Sequence, residues 1–249
     1  MSSKENTRVY GEIVNIDSTS IQSFWNAKAK KDGSIKAVLL GSDFAQDSGI
    51  LRNERENKIL CNLINNREQI SVLDIGCGIG RWAYNLQSNY KTYHGIDFSS
   101  EFINSATKSF KENPNVIFLQ MSATQIDKSM LLKYYDLVIV TGVAMYINDN
   151  EISRLFYCIN DLTDINSSIY FQESVSILPH RLTLRNFDSK ELNSKYNAIY
   201  RTREEYEDFF AECLPNYHVE LNKTNLLLDK ETGAREETNA RYWFLERQH

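Results

Sequence analysis

The middle of the chain alternates short apolar runs with amphipathic segments. Ile70-Ser71-Val72-Leu73-Asp74-Ile75 is an apolar run with β-branched residues, the pattern of a strand buried on both faces. Three similar runs follow at Thr92–Ile96, Val116–Met121 and Leu137–Thr141, and a fifth at Ser168–Glu173. Between them apolar positions recur at helical spacing. One set is Phe102, Ile103, Ala106 and Phe110; another is Ile152, Leu155, Phe156, Ile159 and Leu162. Strand and helix alternating in this way predict crossover units and a parallel sheet.

Past residue 176 the alternation breaks. Residues 176–201 are rich in Leu, Arg, Asn and Tyr and show no clean strand period. Thr202-Arg203-Glu204-Glu205 fits a capping box and opens a helix with Tyr206, Phe209 and Phe210 on one face. Two strand-like runs, Tyr217–Leu228 and Ala240–Leu245, flank the charged stretch Asp229–Thr238 with its Gly233 and predict an antiparallel hairpin. Residues 1–49 hold Tyr10, Phe24 and Trp25 among polar positions and read as an ordered N-terminal cap. The expectation is one domain over residues 1–249. Its parts are a cap at 1–49, a core at 50–175, an insertion at 176–201 and a C-terminal helix and hairpin at 202–249.

Composition narrows the function classes. A 42% hydrophobic and 24% charged content is ordinary for a globular protein of 249 residues. No apolar run approaches the roughly 18 residues that span a bilayer. The opening Met1–Asn6 carries no signal-like stretch. A cytoplasmic protein with no membrane partner is expected. The four cysteines (Cys61, Cys77, Cys158, Cys213) form no Cys-x-x-Cys pair, so neither a zinc site nor a disulfide framework is expected. The net charge of −5 and the short basic run Lys28-Ala29-Lys30-Lys31 argue against a nucleic-acid partner.

The chemistry concentrates in one turn. Gly76-Cys77-Gly78-Ile79-Gly80 follows a predicted strand and opens a predicted helix, and glycines there bring bare backbone against a ligand. The spacing G-x-G-x-G differs from the G-x-G-x-x-G of dinucleotide-binding turns. Asp74, two residues ahead, would repel a pyrophosphate but suits a ligand with an ammonium and a sulfonium. Asp97 closes the second strand in Gly95-Ile96-Asp97-Phe98, where its carboxylate can take both ribose hydroxyls and Phe98 can stack on a purine.

These residues resemble a known family. Val72 to Trp82 is similar to the first motif of class I S-adenosylmethionine-dependent methyltransferases. Gly95-Ile96-Asp97-Phe98-Ser99 is similar to their second, and Tyr135-Asp136-Leu137-Val138-Ile139-Val140 to their fourth-strand motif. The resemblance implies a doubly wound, Rossmann-like α/β sheet of seven strands with the last antiparallel. It implies S-adenosylmethionine as cofactor, with Asp74, Gly76, Cys77, Gly78, Gly80, Arg81, Asp97, Phe98, Ser122, Ala123 and Thr141 around it. Ser122 stands where the family often has an acidic residue for the adenine amino group; its hydroxyl and the Ala123 N–H are the substitutes. Arg81, Arg52, Arg55 and the Trp25 region are alternative partners for the cofactor carboxylate. Tyr146 stands where many small-molecule methyltransferases have histidine.

The motifs of enzymes that methylate base or glutamine amino groups are absent, since Thr141-Gly142-Val143-Ala144 follows the fourth strand. No proline–cysteine nucleophile is present, and no carboxylate closes the fourth strand to hold a metal. A small polar acceptor is expected, such as a sugar nucleotide, a surface-glycan precursor or an amino-acid-derived intermediate, methylated on O or N. The protein is expected to be a monomer or homodimer. Base candidates are Tyr146, Glu173 and His180, the last because an imidazole titrates nearest neutrality. Trp25, Arg181, Tyr196, Tyr200 and Arg201 are the expected acceptor contacts, because arginines beside tyrosines suit a phosphate or carboxylate. The alternatives are a non-catalytic cofactor-binding subunit or sensor, and a protein or RNA methyltransferase.

Overall fold

The apolar runs become the strands of one sheet because their alternate side chains bury on opposite faces. The computed structural model describes residues 7–31, 48–64, 67–190, 192–227 and 235–248. In chain order its elements are β1 (Arg8–Tyr10), α1 (Ser18–Lys31), α2 (Ser48–Leu63), β2 (Ile70–Ile75), α3 (Arg81–Asn85), β3 (Tyr90–Asp97), α4 (Ser100–Ser109), β4 (Val116–Gln120) and β5 (Tyr135–Thr141). Then come α5 (Asp149–Asp161), β6 (Thr163–Ser176), β7 (Leu182–Ser189), β8 (Ser194–Tyr200), α6 (Arg203–Cys213), β9 (Tyr217–Leu226) and β10 (Thr238–Arg247).

Seven strands pair in the order β4-β3-β2-β5-β6-β10-β9. Strands β4, β3, β2, β5 and β6 run parallel, and β10 runs antiparallel to both β6 and β9. This is the doubly wound α/β sheet with one reversed strand that the motifs implied. Val138 and Val140 of β5 join Ile152, Leu155 and Phe156 of α5 and Phe210 of α6 on one face. Leu137 and Ile139 join Leu60 of α2, Ala83 of α3 and Ile103 of α4 on the other. The two-residue period of the strand thus feeds two cores.

The capping box is present in full: Thr202 Oγ1 accepts from the Glu205 N–H at 3.2 Å, and Glu205 Oε2 accepts from the Thr202 N–H at 2.8 Å. Residues 176–201 depart from expectation. They are not strandless: β7 and β8 form an antiparallel hairpin, and β1 adds to β7 with Arg8 opposite Leu184, giving a second, three-stranded sheet. The strand period hides because only one end of the hairpin is buried. Leu182, Thr183 and Leu184 are enclosed while Asn186 and Asp188 face water. The N-terminal cap is seen as β1, α1 and the start of α2. Its residues 1–6 and 32–47 lie outside the described residues, as do 228–234 of the expected hairpin turn. Among the described residues no helix is long and apolar enough to cross a membrane.

Candidate functional site

The glycine turn sits where β2 ends, at the C-terminal edge of the parallel strands, where ligands bind in doubly wound sheets. A cavity of about 710 Å³ opens there, within the range of about 300–1,000 Å³ usual for ligand pockets. Gly76, Cys77, Gly78, Asp97 and Phe98 line one end of it. Met121, Ser122, Ala123 and Thr141 join them, as do Arg52 and Arg81.

The turn is not an anion cradle. The N–H groups of Gly76 and Cys77 both donate to the Ile96 carbonyl, at 2.7 and 3.0 Å, and Gly80 N–H donates to the Cys77 carbonyl at 3.0 Å. Gly78 N–H donates to Asp97 Oδ2 at 3.0 Å. With these four donors spent inside the fold, little of the turn is left to replace the water of a pyrophosphate. Gly76 has φ +75°, and a Cβ there would stand 2.2 Å from Val143 Cγ2, so the residue must be glycine for the turn to pass the 143–146 loop.

Asp97 is 8% exposed; its Oδ1 accepts from the Ser99 N–H at 2.9 Å. Burial raises its pKa, against the pull of the Ser99 and Gly78 N–H groups. It faces the cavity with Phe98 beside it. At the other side of the turn, Arg81 and Arg52 share Glu56, which is 1% exposed: Arg81 Nη1 reaches Oε2 at 2.7 Å and Arg52 Nε reaches Oε1 at 2.8 Å. Burial pushes Glu56 up, and the two guanidiniums more than offset it, holding the carboxylate below its ordinary range. Each guanidinium keeps further N–H groups for a carboxylate in the cavity. A carboxylate, an aromatic face and two cations therefore surround a turn whose N–H groups are mostly spent. That donor set fits a nucleoside carrying an amino-acid tail.

Residues 72–164 match the family described as a methyltransferase domain. That stretch is similar to the methyltransferase domains of S-adenosylmethionine-dependent enzymes. The chain is 24% identical over 193 residues to phosphoethanolamine N-methyltransferase 1 of Zea mays, covering 77% of this chain and 35% of that protein. It is 27% identical over 184 residues to phosphoethanolamine N-methyltransferase 3 of Arabidopsis thaliana, covering 74% and 34%. The chain thus spans about a third of the length of these curated relatives. Solved structures share the fold. A SAM-dependent methyltransferase of Leishmania major superposes with TM-score 0.67 at 19% identity, over 98% of this chain and 99% of that one. A Haemonchus contortus phosphoethanolamine N-methyltransferase, in complex with phosphoethanolamine and S-adenosylhomocysteine, gives 0.68 at 16%, over 93% and 49%.

Several residues stand elsewhere than their motif positions suggest. Asp74 is fully buried behind the turn and does not line the cavity; Tyr93 Oη donates to its Oδ2, and its Oδ1 has no partner. Burial raises its pKa to about 7, and Tyr93 and Arg81 only moderate this. The exclusion of pyrophosphate therefore rests on the spent N–H groups, not on Asp74. Gly80 also lies off the cavity: at φ +82° its absent Cβ leaves room for Phe118 Cζ, 2.7 Å from where it would stand.

The expected base and acceptor residues divide in the same way. Tyr146, Trp25, Tyr196 and Tyr200 line the far half of the cavity. His180 does not; its ring packs edge-on to Tyr10 at 5.8 Å. Arg181 and Arg201 are 4% and 0% exposed and point into an ion network away from the cavity. Arg181 pairs with Asp149 at 2.8 Å and Glu205 at 2.6 Å, and Arg201 pairs with Asp149 at 2.5 Å. Glu173 is 1% exposed, and its carboxylate accepts the N–H groups of Val143, Ala144 and Met145 at 2.6, 2.7 and 3.4 Å. It does not line the cavity.

The sequence reading missed the other lining residues of the far half, among them Gln22, Phe187, Lys190, Arg235 and Asn239. They come from three separate segments and belong to no motif, so no spacing could have joined them. Among the described residues no group of three or more His, Cys, Asp or Glu is placed to hold a metal ion.

Proposed function

We propose that this domain binds S-adenosylmethionine in the glycine-turn half of the cavity and methylates a nitrogen or oxygen of a small polar metabolite held in the far half. The observation that carries the reading is the turn whose N–H groups are spent, flanked by Asp97 and by the Arg52–Glu56–Arg81 cluster. Asp97 would hold the ribose hydroxyls, Phe98 the purine face, Ser122 and Ala123 the adenine edge, and Arg52 or Arg81 the carboxylate. When bound, the cofactor supplies a methyl already activated by its sulfonium. What remains for the protein is alignment and the exclusion of water.

A far wall with Lys190 and Arg235 beside phenols supports an anionic metabolite. Phosphoethanolamine, the ligand in the Haemonchus neighbour, is one such compound; sugar nucleotides and amino-acid-derived acids are others.

Calorimetry with S-adenosylmethionine and S-adenosylhomocysteine tests the cofactor half. Binding is expected for the intact protein and should weaken about ten- to a hundredfold in Asp97→Ala, the worth of a charge-assisted pair of hydrogen bonds. An intact protein that binds neither compound overturns the reading. Release of S-adenosylhomocysteine in the presence of an acceptor panel would separate an enzyme from a cofactor sensor.

A further inference from the structure

Beside the two sheet cores stands an apolar cluster that belongs to neither. Met145 and Tyr146 of the 143–147 turn join Leu184 and Phe187 of β7 and Tyr196 and Tyr200 of β8. All six line the cavity. Met145, Leu184, Tyr196 and Tyr200 are buried, and Tyr146 and Phe187 are half-buried. A core that faces an open cavity keeps apolar surface for a ligand to cover.

The hydroxyls of this wall already have partners. Tyr146 Oη and Tyr196 Oη are 2.8 Å apart, and Tyr196 also hydrogen-bonds Tyr200. The phenols therefore offer a ligand chiefly their rings, and those rings stand edge to face. Trp25 meets Tyr146 at 5.5 Å and 82°, Tyr146 meets Tyr196 at 6.2 Å and 87°, and Phe24 meets Tyr196 at 5.6 Å and 67°. The turn that carries Tyr146 is clamped from both sides. Glu173 takes the N–H groups of residues 143–145, while Arg201 donates to the carbonyls of Ala144 at 2.9 Å and Ile147 at 2.7 Å. A wall held this firmly loses little entropy when a ligand settles on it.

Charge lies outside the cluster. The buried polar lining residues Thr238 and Asn239 come from the start of β10, and Glu151 is half-buried at the start of α5. Asp188, Lys190 and Arg235 are exposed, and Asp188 pairs with Lys195 at 2.7 Å. Water and salt compete for charges this open, so they orient one end of a ligand and add little to its affinity.

We propose that the far half holds the methyl acceptor by a flat aromatic ring, set against the Tyr146–Tyr196 wall with its polar substituents toward Lys190 and Arg235. This rests on the methyltransferase reading and narrows it. Among polar metabolites it selects those that carry an aromatic ring, such as a base or an aromatic acid. A two-carbon body like that of phosphoethanolamine would leave most of the wall uncovered. A ring added to an edge-to-face set gains more than its buried area alone, about two- to tenfold over a saturated ring of the same size.

The test is a calorimetric titration of the S-adenosylhomocysteine complex, so that the cofactor half is already filled. The probes are pairs matched in charge and carbon number, with phosphoethanolamine beside them. One pair is benzoate against cyclohexanecarboxylate, the other 2-naphthoate against decahydro-2-naphthoate. In at least one pair the aromatic acid is expected to bind about three- to tenfold more tightly than its saturated partner, and more tightly than phosphoethanolamine. Phe187→Leu and Tyr196→Leu keep apolar bulk but remove a ring. Each should bring that preference to within twofold of equality, with S-adenosylhomocysteine affinity unchanged within twofold. Tyr196→Phe keeps the ring and should keep the preference. Equal binding within both pairs, tighter binding of phosphoethanolamine than of either aromatic acid, no binding of either aromatic acid, or an unchanged preference in both leucine variants overturns the proposal. Failure to bind S-adenosylhomocysteine before any probe is added would instead defeat the methyltransferase reading itself.

Discussion

The two halves of the cavity are built on different plans. The glycine-turn half, the proposed cofactor site, is mostly backbone and local sequence: residues 76–82, 97–98 and 121–125 supply most of its wall, each at or after the end of a parallel strand. The far half, where we propose the acceptor binds, is side chain and long range. It joins α1, the 143–147 turn, the β7–β8 hairpin and residues 235–240, with the 143–147 turn and the end of β8 tied together by Glu173, Arg201 and Asp149. A wall of backbone can serve one ligand wherever the fold occurs. A wall of side chains from four segments can change its ligand without disturbing the sheet.

The contrast can be broken by substitution. The largest effect is expected on the acceptor side from Arg201→Ala. It removes a donor from each of two backbone carbonyls, Ala144 and Ile147, and weakens the Asp149 network, at a cost of about 3–5 kcal/mol, which lowers the melting temperature on the order of 10 °C. A shift of only a degree or two would show that the clamp does not hold that half together.

Next is Gly76→Ala. The left-handed backbone costs about 1–2 kcal/mol and the collision with Val143 about 1–3 more. Because Val143 precedes the acceptor loop, this variant should also weaken aromatic probes. Loss confined to S-adenosylhomocysteine would show the halves to be independent.

A third effect depends on pH. Asp74 is raised to about 7 in the fold from an ordinary 3.8, so its contribution to stability is complete below its ordinary value and is lost as pH rises through about 7. Glu173, raised to about 7, acts in the same direction, whereas the lowered Glu56 and Asp149 act only below their ordinary values. Urea midpoints should therefore fall between pH 5 and pH 8, and Asp74→Asn should flatten that fall by an amount on the order of a few kcal/mol. A variant with the same slope as the parent would place the titration elsewhere.

The smallest effect is expected from Arg8→Ala, which removes the pair with Glu237 at the edge of the second sheet. Both side chains are about a third exposed, so about 0.5 kcal/mol is expected, and 1 M NaCl should erase the difference in melting temperature.

Legibility followed the same division. The five parallel strands, α5, the capping box at Thr202 and the glycine turn were readable because their signals lie within a few neighbouring residues. Asp97 was readable because a strand end must follow the turn by a fixed crossover. Asp74 was misjudged because a strand-end carboxylate can face the ligand or the core, and the motif is silent on which. His180, Arg181 and Arg201 were assigned from residue type alone. The ion pairs that claim both arginines come from Asp149 and Glu205, which are distant in sequence. The β7–β8 sheet was missed because its pairing with β1 has no local signature.

That pairing sets an order on how the molecule assembles. Arg8 meets Leu184 across most of the described chain, whereas the strands around the glycine turn meet neighbours about 20 to 65 residues away. Loops of that length close late, after the parallel sheet has formed a surface for the hairpin to lie on. The cofactor end should therefore take shape first and the acceptor end last. In native-state hydrogen exchange the amides of β1 and β7 should open while those of β2 and β5 stay protected.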